Sequence, residues 1–453
     1  MLSSRAVYPP EISQSSINNT HNTGSTEEYP RENEMNTNHR NQLSAIFSPI
    51  LIAMKLSGQF FGETAPAEIG RRRTGYISRF FSTLVVLGQW LLVVLSVISH
   101  FHIGFSTTPE FFFLFVTTIW YAKCASSTTV CLVVLPLAPN RRPSRFARFL
   151  SSFGTNTPEL EGMKEKAVKG LALGCLSVLI NTVVVTYFSV CYRGIISIFP
   201  PWYPHSDKYL AVRVIEVVFG TFDSFAWILP ALIFCITCML LEKTFETLQK
   251  KMSKESFHSF TIAHLRREHL KLCEMVEQAN AVFSPLLFVI VSLDIPLLCI
   301  NFHQLIKSAS SQKDTIVIIS YLYWSLCIAT LLGVVFMFGS RVNEKSASSQ
   351  KDTIVIISYL YWSLCIATLL GVVFMFGSRV NEKAHSFYET LQKSKVSVED
   401  IKENTELMLF LAHLRGDPIG LSVGGLAVIS KSVFLTLFGL IVSYFIVLVT
   451  LPS

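Results

Sequence analysis

The sequence predicts an all-α fold: a polytopic membrane helix bundle with a cytosolic N terminus and, by design, seven transmembrane helices. Three observations predict it. Long apolar runs recur along most of the chain, the loops between them alternate between rich and poor in Lys and Arg, and one run is a letter-for-letter copy of its neighbour. The eight runs cover roughly residues 80–105, 110–137, 168–192, 214–241, 282–306, 315–338, 353–376 and 427–451. A helix crosses a bilayer in about 20 apolar residues, so each run is long enough. A chain that is 51% hydrophobic and 15% charged has no aqueous core to hold so many of them. In lipid, a helix satisfies its own backbone polar groups.

The copy is a tandem duplication of 38 residues: 308–345, SASSQKDTIVIISYLYWSLCIATLLGVVFMFGSRVNEK, recur unchanged as 346–383. Stacked structural repeats constrain one face of each unit and leave the rest to drift. Identity at every position points instead to a recent exon duplication or to an error of gene prediction or assembly.

Charge shows why the copy matters. The loop before the first run carries Arg71, Arg72, Arg73 and Arg79. The loop after the second carries Arg141, Arg142, Arg145, Arg148, Lys164 and Lys166, and the loop after the fourth Lys243, Lys250, Lys251, Lys254, Arg266, Arg267 and Lys271. The positive-inside rule places all three in the cytosol. The intervening segment 100–109 has no Lys or Arg. After residue 376 the chain is basic again, with Arg379, Lys383, Lys393, Lys395, Lys402, Arg415 and Lys431. Two consecutive copies cannot both cross and leave their basic tails on one side. Removing one restores the parity, with seven spans and an external C terminus.

Outside the 80–451 transmembrane domain, residues 1–44 are rich in Ser, Asn, Thr and Glu and are expected to be a disordered cytosolic tail. No secretory signal peptide is legible there, so the first span is expected to act as the signal anchor. The Asn18 sequon is expected to stay unused in the cytosol. Residues 45–62 are apolar but interrupted by Lys55 and Gly58, the pattern of an interfacial helix. Residues 384–426 are expected to form a cytosolic anchor segment, with GLSVGG at 420–425 breaking the helix pattern.

Enzyme signatures are missing from the sequence: no phosphate-binding Gly-rich loop after a strand, no His-Glu-x-x-His, no nucleophile elbow and no zinc spacing. The expectation is therefore no enzyme, no cofactor and no metal. Nucleic-acid binding is also not expected, because the net charge of +7 sits in loops that membrane topology requires to be basic. Ten cysteines fall mostly within the runs. Cys191 and Cys299 lie near outer ends and are either packed thiols or a disulfide; Cys235 and Cys238 are expected to pack as small hydrophobes.

Ionisable groups inside a span are usually paired or functional. Lys123, Asp223 and Asp294 lie within the second, fourth and fifth runs. Lys123 either pairs with one of the aspartates inside the bundle or belongs to a pair that switches when a ligand binds.

The last run holds the sharpest pattern. Ser432, Thr436, Gly439, Ser443 and Thr450 fall at offsets of 4, 7, 11 and 18, which at about 100° per residue share one narrow face. Such a stripe either packs closely on a neighbouring helix or lines water. Ile446 and Val447 are its only bulky apolar members, which would suit a constriction that gates by dewetting.

Two blocks, HLRREHLKLCEMVEQANAVFSPLLF at 264–288 and GLAVISKSVFLTLFGLIVSYFIVLV at 425–449, carry a resemblance. With them, the chain from about residue 48 resembles the invertebrate gustatory receptors, particularly nematode gustatory-receptor-like members. Family members close with Thr-Tyr, a few apolar residues and Gln-Phe; here Ser443-Tyr444 stands first and Val449-Thr450-Leu451 where Gln-Phe would fall. The resemblance implies a seven-helix subunit that assembles as a homo- or heterotetramer around a pore lined by the final helix. It also implies an anchor built from cytosolic extensions of helices four to seven. A ligand pocket is implied among the outer halves of helices two, three, four and six, where this chain offers Trp120, Tyr187, Phe222, Tyr321 and Trp324.

Residue content suits the anchor independently. From 258 to 280 the residues Phe260, Ala263, Leu265, Leu270, Leu272, Met275, Val276 and Ala279 recur at near-helical spacing, and 396–415 repeats the character before Gly416-Asp417-Pro418. FETLQK at 245–250 and YETLQK at 388–393 are near-identical hexamers after the fourth and sixth spans. The function expected from residues and resemblance together is a chemosensory, ligand-gated cation channel. It would be a multi-pass protein of the plasma membrane, its partners the lipid bilayer and a small-molecule ligand. The alternative is a seven-helix receptor signalling through a cytosolic partner such as a G protein.

Overall fold

A computed structural model of the chain describes residues 32–61, 72–103, 109–135, 145–153, 162–191, 210–254, 262–311, 347–393 and 401–450. In chain order its helices are α1 (Glu32–Leu56), α2 (Arg72–Ile103), α3 (Pro109–Val134), α4 (Arg145–Ser152), α5 (Met163–Cys191), α6 (Leu210–Lys254), α7 (Ile262–Ser311), α8 (Ala347–Lys393), α9 (Ile401–Arg415) and α10 (Lys431–Thr450). Strands β1 (Ser422–Val423) and β2 (Ala427–Val428) form a small antiparallel hairpin between α9 and α10. Five stretches among the described residues are long and apolar enough to cross a membrane: Tyr76–Phe101, Met163–Val184, Val217–Met252, Ile262–Leu305 and Tyr359–Gln392.

The bundle is inverted relative to a water-soluble one. On α2, Tyr76, Ile77, Phe80, Leu84, Leu87, Leu91 and Val94 are exposed, while Ser78, Ser82, Gln89, Ser96 and Ser99 are buried. The exposed apolar set repeats at helical spacing, so one face is hydrocarbon and the opposite face carries the polar groups. Only an apolar solvent makes that arrangement favourable. α6 lies at the centre, packed against α5, α8, α3 and α7. Close approach of α5 and α6 depends on Gly170 and Gly174, a small-xxx-small pair: a Cβ on Gly170 would sit 2.9 Å from Leu232 Cδ1, and one on Gly174 3.2 Å from Ile228 Cγ2.

At the N-terminal side the described residues open with a long helix. α1 begins at Glu32, inside the stretch expected to be tail. Among its apolar residues, Leu43, Ile46, Phe47, Ile50, Leu51 and Met54 are buried against the protein, and the Phe47 ring meets Phe146 of α4 edge-on at 5.6 Å. Spacings of three and four put these residues on one face, which the bundle covers. The interruption at Lys55 and Gly58 is the helix terminus, where Gly58 takes φ of 74° and the amide of Gln59 donates to the Met54 carbonyl at 2.8 Å.

The second copy of the duplicated segment supplies α8; the first, beyond Ser311, lies outside the described residues. α8 runs without a break from the apolar stretch into the charged one and ends at Lys393. α6 does the same to Lys254. These extensions pair through the two hexamers: Gln249 Nε2 donates to Thr390 Oγ1 at 3.2 Å, Leu248 and Leu391 are buried, and Lys383 pairs with Glu246 at 3.2 Å.

The helix break at 420–425 is the hairpin, and α7 holds it. The Ser422 amide donates to Asn280 Oδ1 at 2.7 Å and the Gly424 amide to the Ser284 carbonyl at 3.1 Å. Nearby, Pro285 cannot donate to the Ala281 carbonyl; Arg145 Nη1 takes that acceptor at 3.2 Å.

Candidate functional site

The intramembrane charges sort into two arrangements. Lys123 on α3 donates to Asp294 on α7, with both side chains buried. Asp223 on α6 accepts instead from Gln89 Nε2 on α2, at 2.8 Å. The Lys123 ammonium also lies 5.8 Å from the Trp120 ring centre and 5.3 Å from that of Trp227. An ammonium over an indole face is attracted by the ring quadrupole, most strongly where water is excluded.

Three tryptophans from three helices meet around this charge. Trp120 of α3 lies 5.0 Å from Trp227 of α6 and 4.6 Å from Trp362 of α8, both edge-to-face, and Trp227 lies 6.2 Å from Trp362. Trp362 is the second-copy counterpart of Trp324. Trp324 and Tyr321 lie outside the described residues, as does the Tyr187 side chain. Tyr359, the counterpart of Tyr321, is buried beside Leu305 and Leu360. Phe222 contacts Phe81 and Phe219 at 6.1 and 6.3 Å, on the α2 side of α6. Sequence reasoning missed Trp227 and Gln89. The signal for Trp227 was its place one turn from Asp223 on the same helix.

The trio belongs to a buried cluster that includes Leu297 and Ile366, and Ile441 of α10 packs against it. α10 rests on the bundle through Val433, Phe434, Leu437 and Ile441. Its opposite face is open: Ser432, Thr436, Gly439 and Ser443 are exposed, a Cβ on Gly439 would meet nothing within 4 Å, and Ile446 and Val447 are 56% and 53% exposed. The Thr450 side chain lies outside the described residues. Cys299 is a free thiol, as are Cys235 and Cys238.

Residues 179–356 match the family model described as the trehalose receptor. That segment takes in the end of α5, all of α6 and α7, and the start of α8. No curated protein matches the chain in sequence. In fold, the chain is similar to the insect olfactory receptor OR5 from Machilis hrabei, with a TM-score of 0.58 and 11% identity over 89% of this chain and 97% of that one. The same receptor in complex with eugenol gives a TM-score of 0.56 and 13% identity over the same shares. The five apolar stretches, the helical architecture and the inverted exposure of α2 make this a multi-pass membrane protein. The chain thus resembles a chemoreceptor family model over residues 179–356 and shares the helical fold of an insect olfactory receptor along most of its length.

Proposed function

We propose that the chain is a subunit of a tetrameric, ligand-gated cation channel of the plasma membrane, with seven spans, a cytosolic N terminus and α10 lining the pore. The observation that carries the reading is the two-sidedness of α10. Its purely apolar face packs on α7 and α8, while the stripe of Ser432, Thr436, Gly439 and Ser443 is exposed on the protomer. Thr436 bonds back to the Ser432 carbonyl, but a continuous stripe of small hydroxyls gains nothing from hydrocarbon, and a shared aqueous path between protomers is the setting that suits it. Ile446 and Val447 form the apolar constriction, and Thr450 continues the stripe beyond it.

The ligand site is the tryptophan cluster, where Trp120 and Trp227 act with Trp362 in the part assigned to Trp324; Tyr187, Phe222 and Tyr359, in the part assigned to Tyr321, complete the proposed lining. Ile441 joins this cluster to the pore helix. A ligand that separates the indoles therefore moves α10 directly, and reorganises the Lys123–Asp294 pair beneath it.

The test is whole-cell current from the one-copy chain, challenged with trehalose and with eugenol, the compounds for which the matched family and a solved relative are named. Thr436→Trp and Ser443→Trp are expected to abolish evoked current at unchanged surface expression. Current that survives both substitutions removes α10 from the pore.

A further inference from the structure

At the charged end of α7, away from the tryptophans, three metal-ligating side chains converge. His269 and Cys273 are one helical turn apart, and His413 comes from α9, so the three ligand atoms lie within 4.8 Å of one another. Cys273 Sγ is 3.5 Å from His269 Nδ1 and 3.8 Å from His413 Nε2. A tetrahedral zinc, with Zn–S of about 2.3 Å and Zn–N of about 2.0–2.1 Å, separates sulfur from nitrogen by roughly 3.5 Å.

The surroundings fix the donors. His269 Nε2 lies 3.0 Å from the Ala384 carbonyl. A carbonyl only accepts, so the proton sits on Nε2 and the Nδ1 lone pair points at the sulfur. A ligating histidine is ordinarily held in this way, by its second nitrogen donating to an oxygen. The His269 ring is further locked edge-to-face between Phe387 and Phe410, at 5.0 and 5.2 Å. On the other side, His413 of α9 brings Nε2 to the sulfur, and a neutral imidazole nitrogen is the form that ligates. Arg266 is paired with Glu406 of α9 at 2.9 Å. Cys273 and His413 are only partly buried, which leaves an ion a way in.

We propose that His269, Cys273 and His413 bind a zinc ion, with water in the fourth position, and that the ion staples α9 to α7. The site is independent of the channel reading. Its consequence is mechanical: α9 leads through the hairpin into α10, so the staple would fix the segment from which the last helix departs. The competing arrangement is a metal-free chain, in which the Cys273 thiol donates to His269 and accepts from His413.

The test is metal analysis of the full chain, purified in detergent, incubated with zinc chloride and desalted. About one zinc per chain is expected, and cobalt in its place should give the near-ultraviolet thiolate charge-transfer absorption. Cys273→Ser and His413→Ala should each lower zinc affinity by at least about tenfold while eluting like the parent on size exclusion. Bound zinc should also protect Cys273 from maleimide, read at the peptide level, until a chelator is added. A parent chain without stoichiometric zinc overturns the proposal in favour of the hydrogen-bonded thiol. So does zinc retained undiminished in both variants.

Discussion

Lys123 of α3 and Asp294 of α7, 171 residues apart in sequence, form an ion pair with side-chain exposures of 1% and 0%. Breaking such a pair leaves one charge buried alone, at a cost of about 3–5 kcal/mol, whereas replacing both partners with apolar residues is often neutral or stabilising. Lys123→Ala and Asp294→Ala are each expected to lower the thermal stability of the detergent-solubilised chain sharply. The double variant Lys123→Met/Asp294→Leu should recover most of the loss. Single variants as stable as the parent, in a fluorescence-detected melting experiment, would contradict the pairing.

That pair illustrates what was legible. The sequence announced that Lys123, Asp223 and Asp294 would need partners, since each sits in an apolar run, but periodicity says nothing about which helices touch. Gln89, which takes Asp223, carries no charge to draw attention. The spans were legible because apolar runs are long. Cytosolic extensions were expected without their end points: at Lys243 and Lys383 charge ends the stretch suited to lipid without ending the helix, and α6 and α8 run on as Leu210–Lys254 and Ala347–Lys393. The kinship of FETLQK and YETLQK becomes intelligible only once those extensions lie side by side, with Gln249 bonded to Thr390. Gly170 and Gly174 drew no reading from the sequence, because nothing local says that Leu232 and Ile228 lie opposite.

The duplicated segment yields a sharp comparison, because identical side chains occur in both copies. Trp362 in the second copy packs against Trp120 and Trp227. Trp362→Ala in the 453-residue chain is expected to cost about 3–5 kcal/mol, the usual range for a large aromatic in a core. Trp324→Ala is expected to change stability by less than about 0.5 kcal/mol, because the indole that packs on Trp120 and Trp227 is that of Trp362. A chain lacking 308–345 should melt like the parent. The opposite ranking of the two alanine variants would mean that the first copy fills the place in the bundle.

Gly424 and Gly425 make a matched pair at the hairpin that precedes α10. Both have left-handed backbones, with φ of 61° and 74°. A Cβ on Gly424 would lie 2.8 Å from Phe288 Cδ2, while one on Gly425 would meet nothing within 4 Å. The left-handed conformation costs an L-residue roughly 1–2 kcal/mol, and Asn tolerates it best. Gly425→Asn is therefore expected to be nearly silent. Gly424→Asn should add a steric clash and loosen the amide bond to Ser284, seen as a lower melting temperature and faster amide exchange around 422–428.

The face of α10 that meets water can be mapped one residue at a time. Cysteines placed at Ser432, Thr436, Gly439 and Ser443 should react with charged, membrane-impermeant thiol reagents, with a period of three to four residues. Cysteines at Leu435, Phe438 and Val442 are exposed on the same protomer but off the stripe, and should stay unreactive because lipid or a neighbouring subunit covers them. From the outer side both Ser443 and Thr436 should react only while the channel is activated, because Ile446 and Val447 lie outward of them and close the path at rest. Replacing both constriction residues with Ser should raise basal current and make Thr436 reactive without ligand, since a polar ring no longer dewets. Uniform reactivity around the helix, or none at all, would show that the hydroxyl stripe serves packing between helices rather than conduction.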